Sequence, residues 1–235
     1  MKVLLLGATG RTGALVLAGL TSHQIQTVCV TRSPEKLLAG GESGSVRVVQ
    51  SSRSDDPAVL DACIRECDTV VSCIGHVASL HGMFREGLFV RDSARAVVEA
   101  AVQAKRRIRF IHLGTAGVSV DQAGQYQRGW IERAFIAGLH YSLVPMRDSQ
   151  ATVDYLAGLE GTEAEQFVEW TVVRPDWFQD GDVSPYLLDE TIQSGIFAGE
   201  TSRIANIADF IGKLVRDSLV WETWKGKMPV IRDAK

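Results

Sequence analysis

A glycine-rich turn near the start of the chain constrains the fold more than any other feature. The apolar run Val3–Leu6 is followed at once by three glycines in the spacing GxxGxxG, from Gly7 to Gly13, and then by a helical pattern over 12–21. Glycines between a strand and a helix let the backbone approach a diphosphate closely, and the helix start offers free N–H groups to it. The pattern predicts a pyrophosphate site. The alternative is a glycine-rich turn without a ligand.

The rest of the chain alternates short apolar runs, many of them rich in β-branched residues, with helical patterns. Strands are predicted at 3–6, 27–30, 46–49, 69–74, 107–112, 170–173 and 230–231. Helices are predicted at 12–21, 34–38, 57–65, 85–104, 128–139, 149–159, 185–194 and 209–219. Such alternation is typical of βαβ units. Right-handed crossovers arrange these units into a doubly wound parallel α/β sheet, the Rossmann fold.

The domain organisation is predicted from what interrupts the pattern. A chain of 235 residues accommodates one or two domains. The sequence has no internal repeat, no low-complexity segment and no linker. We therefore expect a single Rossmann-type domain over 1–235, with 176–227 forming a small C-terminal substrate lobe.

Charge and apolar patterning exclude several classes of protein. The formal net charge of −3 differs from the strongly basic character of a nucleic-acid binder. No apolar stretch approaches the roughly 18 residues that span a bilayer, and the first apolar run ends at Gly7, which is too early for an export signal. The four cysteines form no CxxC pair and are expected to be free thiols. We expect a cytoplasmic protein with a small-molecule substrate, no nucleic-acid or membrane partner and no metal.

The end of the second predicted strand bears on the choice between NAD and NADP. A site for NAD usually has Asp or Glu there to hold the ribose hydroxyls, whereas this chain has Arg32. The guanidinium fork suits a 2′-phosphate, and Arg11 in the glycine turn adds positive charge on the same side. The sequence favours NADP(H) as cofactor. The alternative is a solvated Arg32 that pairs with Glu35.

Several segments of the chain resemble the atypical short-chain dehydrogenases/reductases of the NmrA-like and NAD(P)H-binding type, which include proteins similar to flavin and biliverdin reductases. The segments are 7–13, Arg32, 69–75, 110–116, 170–175 and 204–211. The resemblance implies that Ile74 and Gly75 line the adenosine and ribose side, that Thr115 lies beside the nicotinamide, and that Arg32 holds the 2′-phosphate. Relatives occur as monomers and as homodimers, and the sequence leaves this open. The pyrophosphate would be held by Gly7, Thr9, Gly10, Arg11, Thr12 and Gly13.

The catalytic pair of most short-chain dehydrogenases is missing. In those enzymes a Tyr-x-x-x-Lys motif places a lysine beside a tyrosine, and the lysine lowers the tyrosine pKa so that the phenol exchanges a proton with the substrate. None of the four tyrosines in this chain has a lysine four residues later. The usual proton relay is therefore absent.

Other polar residues follow the predicted strand ends, where ligands of open α/β sheets bind. His76 follows the fourth strand, and an imidazole suits proton transfer near neutral pH. Thr115 follows the fifth strand and is suited to donate to a substrate carbonyl, and Tyr126 is a candidate lone phenol donor. The alternatives are a surface or backbone-bonded histidine, a turn-capping threonine and a structural tyrosine. We expect His112 in the core and Arg174 either in a structural role or near the cofactor.

Three functions fit these features. The first is an NADPH-dependent reductase of a small aromatic or conjugated carbonyl, quinone or flavin-like molecule, which needs little proton help from the protein. The second is a non-redox isomerase, dehydratase or cyclase of a biosynthetic pathway on the same fold. The third is an NmrA-like regulatory protein that senses NADP(H). We favour the first, although fold alone does not decide among them.

Overall fold

The computed structural model describes residues 1–38, 44–76, 87–118, 138, 143–192 and 200–234. The strands within these ranges are β1 (Lys2–Leu6), β2 (Gln26–Thr31), β3 (Val46–Gln50), β4 (Thr69–Ser72), β5 (Ile108–Leu113), β6 (Val168–Pro175), β7 (Trp177–Gln179), β8 (Tyr186–Asp189), β9 (Thr201–Arg203) and β10 (Val230–Asp233). The α-helices are α1 (Arg11–Ser22), α2 (Glu35–Leu38), α3 (Pro57–Ile64), α4 (Phe89–Gln103), α5 (Val144–Ala157), α6 (Ile204–Arg216) and α7 (Ser218–Trp224). A 3₁₀ turn at Glu163–Gln166 precedes β6.

One large sheet organises the molecule. Its strand order is β3-β2-β1-β4-β5-β6-β10-β8, and β7 pairs with β9 separately. Neighbouring strands in the large sheet run parallel, except for β8, which runs antiparallel to β10. The chain proceeds outward from β1 through β2 to β3 and returns to the other side of β1 at β4. This reversal is a topological switch point, where open α/β sheets bind ligands. The predicted doubly wound α/β fold is confirmed.

Apolar cores cover both faces of the sheet. Leu4 and Leu6 of β1 lie in the core beneath α3, α4 and α5, whereas Val3 and Leu5 lie in the core beneath α1, α6 and α7. This division follows from the two-residue period of a strand. Because both of its faces are buried, β1 is a continuous apolar run over Val3–Leu6 and not an alternating one. Among the described helices, none has the length and apolar character that crossing a membrane requires.

Two helix predictions in the last third of the chain are wrong in part. Within 185–194, the segment Tyr186–Asp189 is the edge strand β8, because its backbone pairs with β10. The helix predicted over 209–219 is two helices that meet at Asp217, whose carboxylate accepts hydrogen bonds from the N–H groups of Leu219 and Val220. These bonds start α7 as a separate helix.

Two further predictions concern segments that the described ranges cover only in part. The helix predicted over 128–139 lies outside the described residues, apart from Gly138. The helix predicted over 85–104 is described from Phe89 onward, as α4. The substrate lobe at 176–227 stays a prediction. Within that segment, α6 buries its apolar face against the sheet in the same core as α1.

Candidate cofactor and active site

The glycine turn lies at the switch point between β1 and β4. Gly7 has φ of +80°, a conformation that residues with a Cβ rarely adopt. A Cβ on Gly7 would lie 2.6 Å from the carbonyl oxygen of Cys73, which follows β4. A Cβ on Gly13 would lie 2.1 Å from the carbonyl oxygen of Gly7. The glycines therefore let three backbone segments meet at the point where the sheet binds ligands.

The start of α1 is suited to an anion. Gly10 is the N-cap residue, and within the described part of the chain no side chain caps this helix. No acidic residue lies in its first turn. The first-turn N–H groups and the positive end of the helix dipole therefore remain for a phosphate. Thr9, Gly10 and Arg11 are exposed on the turn, whereas Thr12 is buried. The uncapped start and the close approach that glycine permits fit the pyrophosphate of a dinucleotide.

Two arginines flank this turn. Arg32 is exposed directly after β2, and within the described residues it makes no ion pair with Glu35. Arg11 is paired, because its Nη2 lies 2.6 Å from Oδ1 of Asp180, just after β7. Both members of that pair are exposed, so it contributes only about 0–1 kcal/mol to stability. The pair connects the glycine turn to the segment predicted to contact the substrate.

The chain leaving β4 passes along the glycine turn. The N–H of Cys73 donates to the carbonyl of Leu6 at 2.9 Å, which extends the pairing of β4 with β1. Ile74 is partly buried and packs against the first core, whereas Gly75 is exposed with open space around it. Burial raises the pKa of the Cys73 thiol to about 12, so this cysteine is not a thiolate nucleophile at neutral pH.

His76 continues this segment and is held by a buried carboxylate. Its Nε2 lies 2.8 Å from Oδ2 of Asp148 on α5. The His76 side chain is 9% exposed and that of Asp148 is fully buried. The Phe89 ring packs against the imidazole, with ring centroids 4.4 Å apart. The alternative of a solvated surface histidine does not describe this residue.

Asp148 also caps α4. Its Oδ2 accepts the N–H of Val90 at 3.0 Å and its Oδ1 accepts the N–H of Arg91 at 2.9 Å. Leu88, the N-cap residue of α4, has no side-chain oxygen to do this. The carboxylate therefore lies at the positive end of the α4 dipole, with a backbone hydrogen bond to each oxygen.

No sequence motif marks Asp148 as a candidate site residue. The residue is 72 positions from His76 and lies in a polar segment with no recognisable motif. His76 lies in the segment before α4, whereas Asp148 lies within α5. Nothing in the local pattern pairs the two.

The remaining predicted catalytic residues are placed differently. Thr115 is partly buried after β5, and its Oγ1 accepts the N–H of Gly117 at 3.2 Å, so it caps its own turn. That contact leaves the hydroxyl proton able to donate. Tyr126 lies outside the described residues. His112 is buried in β5, where desolvation lowers its pKa to about 4, so it is neutral at neutral pH.

Arg174 has a structural role. The side chain is fully buried at the end of β6. Its Nε donates to the carbonyl of Met228 at 2.8 Å, and its two Nη atoms donate to the carbonyls of Val118 and Glu190 at 3.2 Å each. One guanidinium thus joins the segments after β5, after β8 and before β10.

A tyrosine–lysine contact occurs away from the glycine turn. Lys213 Nζ donates to Tyr186 Oη at 2.8 Å, and that hydroxyl donates to Oδ2 of Asp209 at 2.8 Å. The three side chains line a cavity of about 530 Å³ between β8, α6 and α7. Burial raises the pKa of Tyr186, opposite to the change that proton transfer by a phenol requires. The contact therefore does not replace the missing motif at the switch point.

Comparisons with known proteins agree with this geometry. The sequence profile of a family described as NAD(P)H-binding matches residues 7–218. The structure of the oxidoreductase ylbE from Lactococcus lactis is 18% identical with a TM-score of 0.72, over 100% of this chain and 92% of that chain. The anaerobillin reductase ChuY from Escherichia coli O157:H7 is 17% identical with a TM-score of 0.71, over 98% of this chain and 96% of that chain.

A third structure carries a different name. It comes from Bacillus halodurans, is named as a proposed NAD-dependent epimerase/dehydratase, and is 16% identical with a TM-score of 0.67, over 100% of this chain and 95% of that chain. Among curated protein sequences, none matches. Identities this low establish a shared fold only. The profile match covers most of the chain and begins at the glycine turn, so the chain belongs to the NAD(P)H-binding family and has its Rossmann fold.

Proposed function

We propose that the protein is an NADPH-dependent reductase of a small conjugated carbonyl, quinone or flavin-like molecule. One observation carries the proposal: at the switch point, an uncapped glycine-cradled helix start lies next to the β4 segment that ends in the His76–Asp148 pair. When bound, a reduced nicotinamide supplies a hydride. The acceptor then needs one proton, and an imidazole exchanges protons near neutral pH.

The acceptor class follows from what the sequence lacks. A simple ketone becomes a localised alkoxide after hydride transfer, and the Tyr-x-x-x-Lys motif exists to protonate it. No tyrosine of this chain has that lysine. A conjugated carbonyl, quinone or flavin spreads the negative charge over several atoms, so a weaker proton donor suffices. The absence of the motif therefore supports a conjugated acceptor.

The preference for NADPH depends on Arg32. Replacing Arg32 by alanine should weaken NADPH binding by roughly 10- to 100-fold, because charge-assisted hydrogen bonds contribute about 1.5–3 kcal/mol. NADH lacks the 2′-phosphate, so its dissociation constants for the variant and for the wild type should agree within about twofold. Isothermal titration calorimetry with both cofactors measures the difference.

The control for this substitution is Arg65→Ala. Arg65 is exposed and pairs with Asp61 at the end of α3, just before β4 and therefore at the opposite edge of the sheet. This variant should bind both cofactors as the wild type does. Equal losses of NADPH and NADH affinity in Arg32→Ala would refute the assignment of Arg32 to the 2′-phosphate.

The reductase proposal is tested with a panel of acceptors. The wild-type protein is incubated with NADPH and quinones, conjugated aldehydes or free flavins, and the loss of absorbance of the reduced nicotinamide is followed. We expect oxidation of NADPH with at least one acceptor and a matched amount of reduced product. The description of the Bacillus halodurans protein as an epimerase/dehydratase supports a second candidate, a non-redox isomerase or dehydratase. Conversion of a substrate without net cofactor oxidation would favour that candidate instead.

A further inference from the structure

We propose that His76 and Asp148 form the proton-transfer pair of the reductase, with His76 donating the proton and Asp148 positioning it. The proposal rests on the proposed function and names the side chains that replace the missing tyrosine and lysine. It is carried by the 2.8 Å contact between the two residues and by the helix start that Asp148 occupies.

The contacts of Asp148 identify which ring nitrogen faces it. Both carboxylate oxygens accept backbone N–H groups of α4, and Oδ2 also contacts Nε2 of His76. Since both oxygens already act as acceptors, we assign the hydrogen shared with Oδ2 to Nε2 of His76. Nδ1 is therefore the atom of His76 that exchanges a proton with a ligand.

The surroundings of the ring fix its orientation. Asp148 from α5 faces its Nε2, and Phe89 from α4 packs against it. The nearby guanidinium of Arg91 is engaged with Asp92, at 2.6 Å. The ring is almost excluded from water. His76 lies three residues after Cys73, the residue whose carbonyl lies against Gly7. The imidazole is thus held in one orientation at the carboxyl end of β4, the same end of the sheet as the switch point.

The proposed step balances in atoms and electrons. The acceptor receives a hydride, which carries two electrons, from the reduced nicotinamide. As its heteroatom gains electron density, a new O–H or N–H bond forms there and the Nδ1–H bond of His76 breaks. The electron pair of the broken bond stays on Nδ1 as a lone pair. Asp148 remains a carboxylate throughout. The ring carries a hydrogen on both nitrogens before the step and on Nε2 alone after it, and it regains the Nδ1 hydrogen from hydronium in bulk solvent.

The first measurement does not depend on turnover. The protein is labelled with ¹⁵N-histidine, and the His76 signals are assigned by their loss in His76→Gln. At a pH where the ring is neutral, we expect Nε2 to carry the hydrogen and Nδ1 to be the unprotonated nitrogen. Asp148→Asn should weaken this preference, because a neutral amide does not require a donor. A neutral ring with its hydrogen on Nδ1 would overturn the proposal.

The second measurement is kinetic. His76→Gln should lower kcat with the best acceptor by roughly 10²- to 10⁴-fold, which is the usual contribution of a positioned acid. The dissociation constant for NADPH should change by less than about threefold. A variant that lost activity only through weaker cofactor binding would instead show a large change in this constant. Imidazole added to His76→Ala should restore part of the turnover, which a merely structural role of His76 would not allow.

The matched control is His23→Gln. His23 is an exposed histidine at the end of α1, and its Nδ1 contacts the Gly19 carbonyl. Its replacement should leave kcat unchanged. Because Asp148 also caps α4, the folded fraction of Asp148→Asn is measured by circular dichroism, and its kcat is compared with that of the wild type at equal folded fraction. If Asp148→Asn does not fold, His76→Gln and His76→Ala decide whether His76 donates the proton.

Two failures are distinguishable. Wild-type turnover that persists in His76→Gln overturns the proton-transfer role and leaves the reductase proposal intact. If the wild-type protein binds NADPH but no acceptor in the panel supports its oxidation, the reductase proposal is overturned. The proton-transfer proposal is then overturned with it.

Discussion

Replacing Gly13 by alanine should destabilise the protein by about 3 kcal/mol and abolish dinucleotide binding. The added Cβ would lie 2.1 Å from the carbonyl oxygen of Gly7 and 2.8 Å from its carbon. Both are backbone atoms, so no flexible side chain is available to move aside. Helix α1 would have to shift away from the end of β1, which opens the cradle for the pyrophosphate. Urea denaturation measures the free energy of unfolding, and calorimetry with NADPH measures binding.

The same helix offers a control. Gly19 is exposed, and a Cβ on it would meet no atom within 4 Å. Gly19→Ala should stabilise the protein by up to about 1 kcal/mol, because alanine is the better helix former. NADPH affinity should stay unchanged. If both alanines had the same small effect, α1 would not approach β1 as closely as described.

Replacing Arg174 by methionine should have a comparably large effect, a loss of at least about 3 kcal/mol, since each buried acceptor left without a donor costs about 1–3 kcal/mol. Three carbonyl groups from separate segments lose their charged donor together. Methionine is apolar and flexible, so the change removes the guanidinium more than it removes volume. Chemical denaturation monitored by tryptophan fluorescence follows the unfolding transition.

Arg107→Met is the matched control for this substitution. The Arg107 guanidinium is exposed and donates to a single carbonyl, that of Gln166, at 3.0 Å. Its replacement should change stability by no more than about 0.5 kcal/mol, as at most surface positions. A small loss of unfolding free energy in Arg174→Met would mean that water or other groups satisfy the three carbonyls. The guanidinium would then not be what holds those segments together.

The parts of the fold that sequence reasoning predicted depend on local physics. A parallel strand buried on both faces is a continuous apolar run, and Val3–Leu6 shows this without reference to any other segment. The steric demand for glycine at Gly13 is equally local, because an added Cβ would meet the carbonyl of Gly7 within the same turn of seven residues. Both features can therefore be predicted from the sequence without knowledge of tertiary contacts.

The parts that were missed depend on distant contacts. Tyr186–Asp189 is too short for its periodicity to distinguish a strand from a helix, and its pairing with β10 decides. The contact between His76 and Asp148 brings together residues 72 positions apart. Asp148 lies within a helix, so only the packing of α5 against α4 reveals that its carboxylate faces the start of another element.

The position of Asp148 limits how this protein can change over evolutionary time. Three donors converge on one side chain: an imidazole N–H and two amide N–H groups. Asparagine offers only one acceptor oxygen and would direct its own N–H₂ at a donor, and serine is too short to reach both partners. Replacing Asp148 by either residue therefore leaves donors at the start of α4 without acceptors. Selection on foldability alone would disfavour both changes, even in a lineage that had no use for the chemistry at His76.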